Sequence, residues 1–341
     1  MRNRLPSIIV AVGVAAAMAA SATIASARPL DPVKGSANHP FPRAAWLYRP
    51  ITDDPALRGD SAVIAKRLAA ADGNRTASIY AYGARVYTAP PGTDHVPITV
   101  NNAGTTNGKW GTNVLQSQQI PIPAGAEPTS GSDGKLAIID LDRRLVFDLF
   151  RAKFDGKRWS ADWGGVYPLD GNGVSVRPSY QNGIPYPEPV SRATGSGLST
   201  IAGLVTMADV KSGSIDHALV FATDMACGPA NTGPFQWPAT TTDGWVTGRT
   251  CIPQGTRIQL DPSIDLSAIK GISKGELMLG RALQRYGAYC VDNGGARISI
   301  QFETPPDGAP DPYPSIGFKG DQVPLKKLPW GSLRVLDAWD S

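Results

Sequence analysis

The apolar positions between residues 273 and 303 predict a helix followed by two strands. Ser273-Lys-Gly-Glu276 has the spacing of a capping box, in which each polar side chain accepts a hydrogen bond from the other residue's backbone amide. Apolar side chains then recur every three or four residues as far as Tyr286, which gives a helix one buried stripe. Gly287 is placed to end this helix in the left-handed conformation. Residues 288–303 form an apolar run and an alternating run around an Asn-Gly-Gly turn, so they predict two strands.

Short strands and turns also dominate the rest of the chain. Residues 135–140 and 145–154 predict two strands, and the hairpin signal Asp155-Gly156 predicts that residues 157–163 pair back onto the second strand. This meander is expected to be antiparallel. Further strands are expected at residues 78–87 and 96–100, and short helices at residues 62–71 and 206–213. The pattern as a whole predicts a mainly β fold, an antiparallel β-sandwich resembling a jelly roll, with two or three short helices.

The N-terminus has the pattern of a secretory signal peptide. Arg2 and Arg4 precede an apolar run over residues 8–20, and Ala25-Ser-Ala27 supplies the small residues that a signal peptidase requires. A membrane anchor is the alternative, but the apolar run is short, alanine-rich and followed by a cleavage site. We therefore expect residues 1–27 to be removed on export, and no membrane association afterwards.

The same pattern divides the chain into segments. We expect a signal peptide at residues 1–27, an N-terminal arm with the first strands at residues 28–125, the main β-sandwich unit at residues 126–303 and a proline-rich docking tail at residues 304–341. Residues 28–341 are expected to form one compact domain, because about 300 residues suit one large β domain.

The charge of the chain excludes one class of partner. The chain has 33 Lys and Arg against 29 Asp and Glu, and loss of Arg2 and Arg4 with the signal peptide lowers the formal net charge from +4 to +2. No cluster of basic residues exceeds three, so we expect no nucleic-acid partner. The mature protein is expected to be a monomer.

The three cysteines are expected to form one disulfide. Export permits disulfides, and Cys227 and Cys251 flank a loop rich in Pro, Gly and Thr. We therefore predict a Cys227–Cys251 bridge. Cys290 lies in an apolar strand and is expected to be a buried free thiol. The alternative of a catalytic cysteine has no nearby histidine in the sequence to support it.

The familiar catalytic motifs are absent from the sequence. It has no nucleophile elbow, no P-loop, no dinucleotide-binding glycine motif and no metalloprotease helix. Two Ser-x-x-Lys matches lack the companion motifs of the penicillin-recognising enzymes. Three scattered histidines and three cysteines do not match the spacing of a structural zinc site. We therefore expect neither a metal nor a cofactor.

The remaining candidates for chemistry are carboxylates and one histidine at strand ends. The candidate catalytic residues are Asp133, Asp140, His217 and Asp243; Asp148 and Asp292 are further acids in or at the end of strands. Cleavage of a glycosidic bond needs two carboxylates about 5–10 Å apart, whereas a lyase needs a Tyr or His base and a cation. The alternative for each aspartate is a turn or capping role, and for His217 a buried ring bonded to backbone.

Four tryptophans in or beside polar loops could stack on sugars. These candidate substrate-binding residues are Trp110, Trp163, Trp237 and Trp245. Packing against the edge of the sandwich is the alternative for each ring. Together with export and the paired acids, they indicate an exported glycoside hydrolase acting on a polysaccharide. The alternatives are a polysaccharide lyase, a non-catalytic module that binds carbohydrate or cell wall, and a structural protein.

The order of several short motifs resembles that in a group of secreted bacterial proteins without an established activity. The motifs are His217-Ala-Leu, Trp237-Pro-Ala followed by Asp243-Gly, Leu260-Asp-Pro, and Arg285-Tyr-Gly-Ala-Tyr-Cys-Val-Asp-Asn-Gly294. The resemblance covers about residues 120–300. It supports treating residues 130–295 as one unit, and it implies no catalytic roles.

Overall fold

The computed structural model describes residues 40–101, 112–175 and 191–337, all within one compact unit that spans residues 36–341. The expected signal peptide and Trp110 lie outside the described residues. The described part is mainly β, with three sheets and three α-helices, which confirms the predicted fold class. No helix in these ranges has the length and hydrophobicity that crossing a membrane requires.

The helices and strands are short. The helices are α1 (Ser61–Ala69), α2 (Met207–Ser212) and α3 (Lys274–Arg285). The strands are β1 (Arg75–Ser78), β2 (Arg85–Ala89), β3 (Val96–Val100), β4 (Gln119–Ile120), β5 (Leu136–Asp140), β6 (Leu145–Phe150), β7 (Lys153–Phe154), β8 (Trp159–Ala161), β9 (Trp163–Pro168), β10 (Leu219–Thr223), β11 (Arg257–Leu260), β12 (Ala288–Asn293), β13 (Ile298–Gln301), β14 (Gln322–Pro324) and β15 (Leu333–Val335).

The strands form one large sheet and two small ones. The seven-stranded sheet has the order β14-β1-β13-β10-β12-β11-β15. The four-stranded sheets have the orders β2-β5-β6-β9 and β4-β3-β8-β7. Among the described strands four pairs are parallel, namely β1 with β13, β10 with β12, β2 with β5 and β3 with β8. The sheets of this β-sandwich are therefore mixed, which the sequence did not predict, because alternating hydrophobicity carries no information about a partner strand's direction.

Three apolar cores hold the layers together. On one face of the large sheet, Phe221 of β10 packs in a cluster with Leu279 of α3. On the other face, Val220 packs in a second cluster with Ile139 of β5, so the large sheet and the first small sheet form a sandwich. Ile138 belongs to a third cluster on the outer side of β5, against the second small sheet. Successive side chains of β5 and β10 point to opposite faces, which is why these strands are apolar throughout.

The local signals around α3 are confirmed. Ser273 and Glu276 form both hydrogen bonds of the capping box, and the helix ends at Arg285. Gly287 has a φ of 69°, the left-handed conformation that the sequence predicts. A second capping box, between Thr206 and Asp209, begins α2.

The predicted meander is confirmed. β5 and β6 pair antiparallel, and residues 159–163 pair back onto residues 150–154 around the Asp155-Gly156 turn, with Phe154 opposite Trp159 and Phe150 opposite Trp163. The structure divides this hairpin between two sheets, because β7 and β8 join β3 whereas β6 and β9 stay with β5. The sequence did not predict this division, since it depends on contacts with β3, far away in the chain.

Candidate functional site

A cleft of about 390 Å³ is lined by the ends of β1, β12 and β13 and by the segment that leads into β5. Three of its lining residues are charged: Asp133, Lys135 and Asp292. Most of the other lining side chains carry amide or hydroxyl groups, among them Asn74, Ser78, Tyr82, Asn293, Ser299, Gln301 and Gln322. Such a lining offers many hydrogen bonds to a ligand that is rich in hydroxyl groups.

Lys135 lies between the two carboxyl groups of the cleft. Its Nζ atom is 3.6 Å from Oδ2 of Asp133 and 4.0 Å from Oδ2 of Asp292. It also donates a hydrogen bond of 3.3 Å to Oε1 of Gln301. The sum of the first two distances, about 7.6 Å, is the largest possible separation of the two carboxylate oxygens. This upper limit is compatible with the separation of about 5–10 Å that glycosidic cleavage requires.

The two acids differ in their surroundings. Burial is the largest effect on Asp292, and together with the charge of Asp243 it raises the pKa of the Asp292 carboxyl to about 8. Lys135 and a hydrogen bond from Gly195 oppose this rise without cancelling it. Asp133 is more open to solvent, with 32% of its side chain exposed against 18% for Asp292. The raised pKa favours the protonated form of Asp292 near neutral pH, beside the more open carboxyl group of Asp133.

Asp243 contacts Asp292 without lining the cleft. A side-chain hydrogen bond joins the two carboxyl groups, and Oδ1 of Asp243 accepts hydrogen bonds from the amide of Asn293 and the side chain of Gln254. The amide of Gly195 donates to Oδ1 of Asp292 at 3.0 Å. A Cβ atom at residue 195 would lie 2.0 Å from Oδ1 of Asp243, so the pair of acids requires glycine at this position.

A β-bulge lies directly before Asp292. The pairing of β10 with β12 moves from Phe221 opposite Cys290 to Ala222 opposite Asp292, which leaves Val291 as the extra residue. Bulges occur often beside functional sites because they change the direction of the next side chain. Here the bulge separates the buried Cys290 from Asp292 at the cleft.

The predicted disulfide is present, and it closes the loop that positions Asp243. Cys227 and Cys251 are bonded, with Cα atoms 4.9 Å apart, and they close the loop that contains Trp237 and Asp243. Cys290 is a buried free thiol, as expected. Burial raises the pKa of this thiol well above its usual value, so it stays protonated and is a poor nucleophile.

The structure brings together two of the four predicted catalytic residues. Asp133 and Asp243 lie at opposite ends of a chain of contacts that runs through Lys135 and Asp292. Asp140 and His217 do not line the cleft. The hypothesis that His217 and Asp243 line a site with Trp237, faced by Asp140 or Asp133, is therefore corrected: His217 is buried, and of these residues the cleft contains Asp133 alone.

His217 is a buried structural residue. Its Nδ1 atom is 2.9 Å from the carbonyl oxygen of Ala218, and its Nε2 atom is 3.3 Å from Oδ2 of Asp209. Burial alone would lower the pKa of the ring, but Asp209 outweighs burial and raises it. The amide of Ala218 also bonds to the carbonyl of Leu47, so the N-terminal arm covers the start of β10. A sequence pattern cannot show that a distant segment covers a strand end.

Asp140 fixes the turn between β5 and β6. Its carboxylate accepts hydrogen bonds from the Arg143 amide at 3.0 Å and from Nε of Arg143 at 2.6 Å. Burial alone would raise the pKa of Asp140, but the bonds from Arg143 prevail and lower it. This is the turn role that the sequence allowed as its alternative.

The three candidate tryptophans that lie within the described residues have different surroundings. Trp163 is 5% exposed, so it packs in the protein and offers no surface for stacking. Trp237 and Trp245, both on the disulfide loop, are 44% and 68% exposed. Neither lines the cleft, whose exposed aromatic residue is Tyr82.

Asp292 and Lys135 were not among the predicted site residues. Asp292 had a signal, because it precedes the Asn-Gly-Gly turn at the end of a strand, as catalytic acids often do. Lys135 had none, since a lysine before a strand is usually a solvated residue. Their proximity depends on β5 and β12 belonging to facing sheets, which the sequence does not reveal.

Within the described ranges, no group of three or more His, Cys, Asp or Glu side chains is arranged to hold a metal ion. Comparisons with protein-family models, with curated proteins and with solved structures found no significant match to this chain.

Proposed function

We propose that the protein is an exported glycoside hydrolase that cleaves a polysaccharide in the cleft, with Asp292 as general acid and Asp133 as its partner carboxylate. The observation that carries the proposal is a pair of carboxyl groups in one polar cleft, at most about 7.6 Å apart, of which Asp292 is the more buried and has a raised pKa. The disulfide and the apolar–basic N-terminal pattern support export.

The chemistry follows from the difference between the two acids. The Asp292 carboxyl transfers its proton to the glycosidic oxygen as the bond to the sugar carbon breaks. Asp133 then either bonds to that carbon or removes a proton from the water that attacks it, and the limit of about 7.6 Å allows both geometries. Lys135 lies 4.0 Å from Asp292, where its charge stabilises the carboxylate that forms when the proton leaves.

The lining of the cleft supports a sugar as the ligand. Asn293 lines the cleft, and its buried Oδ1 atom has no hydrogen-bond partner among the described residues, a cost that a bound hydroxyl group would relieve. Tyr82 is 37% exposed and offers a ring for stacking. A polysaccharide lyase is the second candidate, because the ammonium group of Lys135 could hold the carboxylate of a uronate.

Activity on a panel of plant and cell-wall polysaccharides tests the proposal. The wild-type protein should release reducing ends from at least one of them, without the ultraviolet absorbance of an unsaturated uronate that a lyase would produce. Asp292→Asn and Asp133→Asn should each lower the rate by about a hundredfold or more while the protein stays folded.

Asp216→Asn is the matched control, because Asp216 is an exposed aspartate that pairs with Arg43 outside the cleft. It should keep full activity. Absence of any product from the whole panel, or full activity of Asp292→Asn, would contradict the hydrolase. Binding of a polysaccharide without cleavage would favour the non-catalytic module.

A further inference from the structure

A second cavity, of about 400 Å³, is lined by the N-terminal arm, the disulfide loop and the large sheet. It is lined by residues 49–52 and 54–56, by Gln236 and Trp237 of the loop, and by Tyr289 of β12. It shares no lining residue with the cleft described above. The proposed catalysis uses none of these side chains.

One wall of this cavity has an aromatic ring available for stacking. Trp237 lines the cavity, yet 44% of the residue remains exposed to solvent. The disulfide closes the loop that carries it, which limits the movement of the loop. A half-exposed indole ring at a cavity wall is a suitable surface for the apolar face of a sugar ring.

Another wall has a hydroxyl group without a partner. Tyr289 is 1% exposed, and its Oη atom has no hydrogen-bond partner among the described residues. The ring itself is held in place, since Trp46 packs edge-on at 4.6 Å and the guanidinium of Arg257 lies 5.2 Å from its centre. Burial raises the pKa of Tyr289 to about 12, so the hydroxyl keeps its proton and can donate. A buried polar group without a partner is costly unless a ligand or water satisfies it.

The charges around the cavity are balanced. Arg49 and Arg257 line it together with Asp54 and Asp337. Arg257 is buried and already donates hydrogen bonds to the carbonyl oxygens of Tyr286 and Arg49. Two positive and two negative groups give no net preference for an ionic ligand, which favours an uncharged one.

We propose that this cavity is a second, non-catalytic binding site for a neutral sugar unit, which stacks on Trp237 and bonds to the hydroxyl of Tyr289. The sugar supplies an apolar ring face and hydroxyl groups, which are the two features that the walls require. The inference does not depend on the cleft being catalytic. A polysaccharide held here would stay attached to the protein whether or not it is cleaved.

Calorimetric titration of the Asp292→Asn protein with cellohexaose, xylohexaose, mannohexaose and maltohexaose tests this site without cleavage of the probe. At least one of them should bind at concentrations up to about 10 mM. Trp237→Ala, added to this protein, should weaken binding about tenfold or remove one of two sites. Trp245→Ala is the matched control, because Trp245 is a more exposed tryptophan of the same loop that does not line the cavity, and it should change nothing.

Tyr289→Phe separates binding from folding. The change removes a hydroxyl without a partner and keeps the ring, so the melting temperature should stay the same or rise while binding weakens by about tenfold. The proposal is overturned if none of the four sugars binds, if Trp237→Ala and Tyr289→Phe both bind as the parent does, or if hexagalacturonate binds more tightly than every neutral sugar. These outcomes concern affinity alone, so they are distinct from a loss of cleavage in Asp292→Asn.

Discussion

Asp148 and Asp292 both have raised pKa values, but they differ in their access to a ligand. Asp148 is fully buried on β6, and burial raises its pKa to about 7 against hydrogen bonds from Ser199 and Thr200. Asp292 has 18% of its side chain exposed and lines the cleft. A raised pKa marks a functional residue only where a substrate can reach it. Asp148 therefore affects stability, and Asp292 is the candidate for chemistry.

Asp148 should make the folded protein less stable as the pH rises. Its pKa is higher in the folded chain, about 7, than the ordinary 3.8, so the folded state binds the proton more tightly and loses stability across that interval. In Asp148→Asn this loss should disappear, because asparagine keeps an acceptor for Ser199 and Thr200 and does not ionise. Melting temperatures at a series of pH values measure the effect.

The comparison needs a control for the general effect of pH. Asp216→Asn alters an exposed aspartate and should keep the wild-type dependence. If Asp148→Asn loses as much stability between acid and neutral pH as the wild type does, Asp148 does not have the assigned pKa.

For single helices, strands and loops, the sequence predicted those features that depend on residues close together in the chain. The capping box that begins α3 is present as expected, because a cap depends on residues three positions apart. The disulfide followed from the composition of the loop between Cys227 and Cys251. The parallel partner of β10 could not be predicted, because strand pairing depends on segments far apart in the chain.

Reduction of the Cys227–Cys251 disulfide should affect both stability and the cleft, because the bridge closes the loop that contains Asp243. The loop spans 24 positions, and closing a loop of that size contributes about 3 kcal/mol in the chain-entropy account. Reduction, or replacement of Cys227 and Cys251 by serine, should lower the melting temperature by roughly 5 °C. Hydrogen exchange should increase first in residues 228–250, and cleavage should slow because Asp243 lies in that loop.

Replacing Cys290 by serine is not a suitable control, since that thiol is buried in the core. The matched control is the wild-type protein with its disulfide intact, treated with the oxidised form of the reductant. If exchange in residues 228–250 is unchanged on reduction, the bridge does not hold the loop.

The whole molecule brings the cleft together from separate layers. Lys135 directly precedes β5 of the first small sheet, and Asp292 lies near the end of β12 in the large sheet. Their contact therefore exists only once the two sheets pack together. The sequence therefore indicated Asp133 and Asp243 as separate candidate acids, but it did not indicate that Lys135 and Asp292 connect them. It placed His217 and Asp140 at the site because strand ends were visible and the segments that cover them were not.

The pH dependence of polysaccharide cleavage, compared between the wild type and Asp243→Asn, tests the central claim most directly. The account predicts that wild-type kcat/KM falls above about pH 8, where Asp292 loses its proton. In Asp243→Asn the fall should move to lower pH, because the negative charge of Asp243, which raises the pKa of Asp292, is gone. Loss of activity at the same pH in both proteins would contradict Asp292 as the general acid.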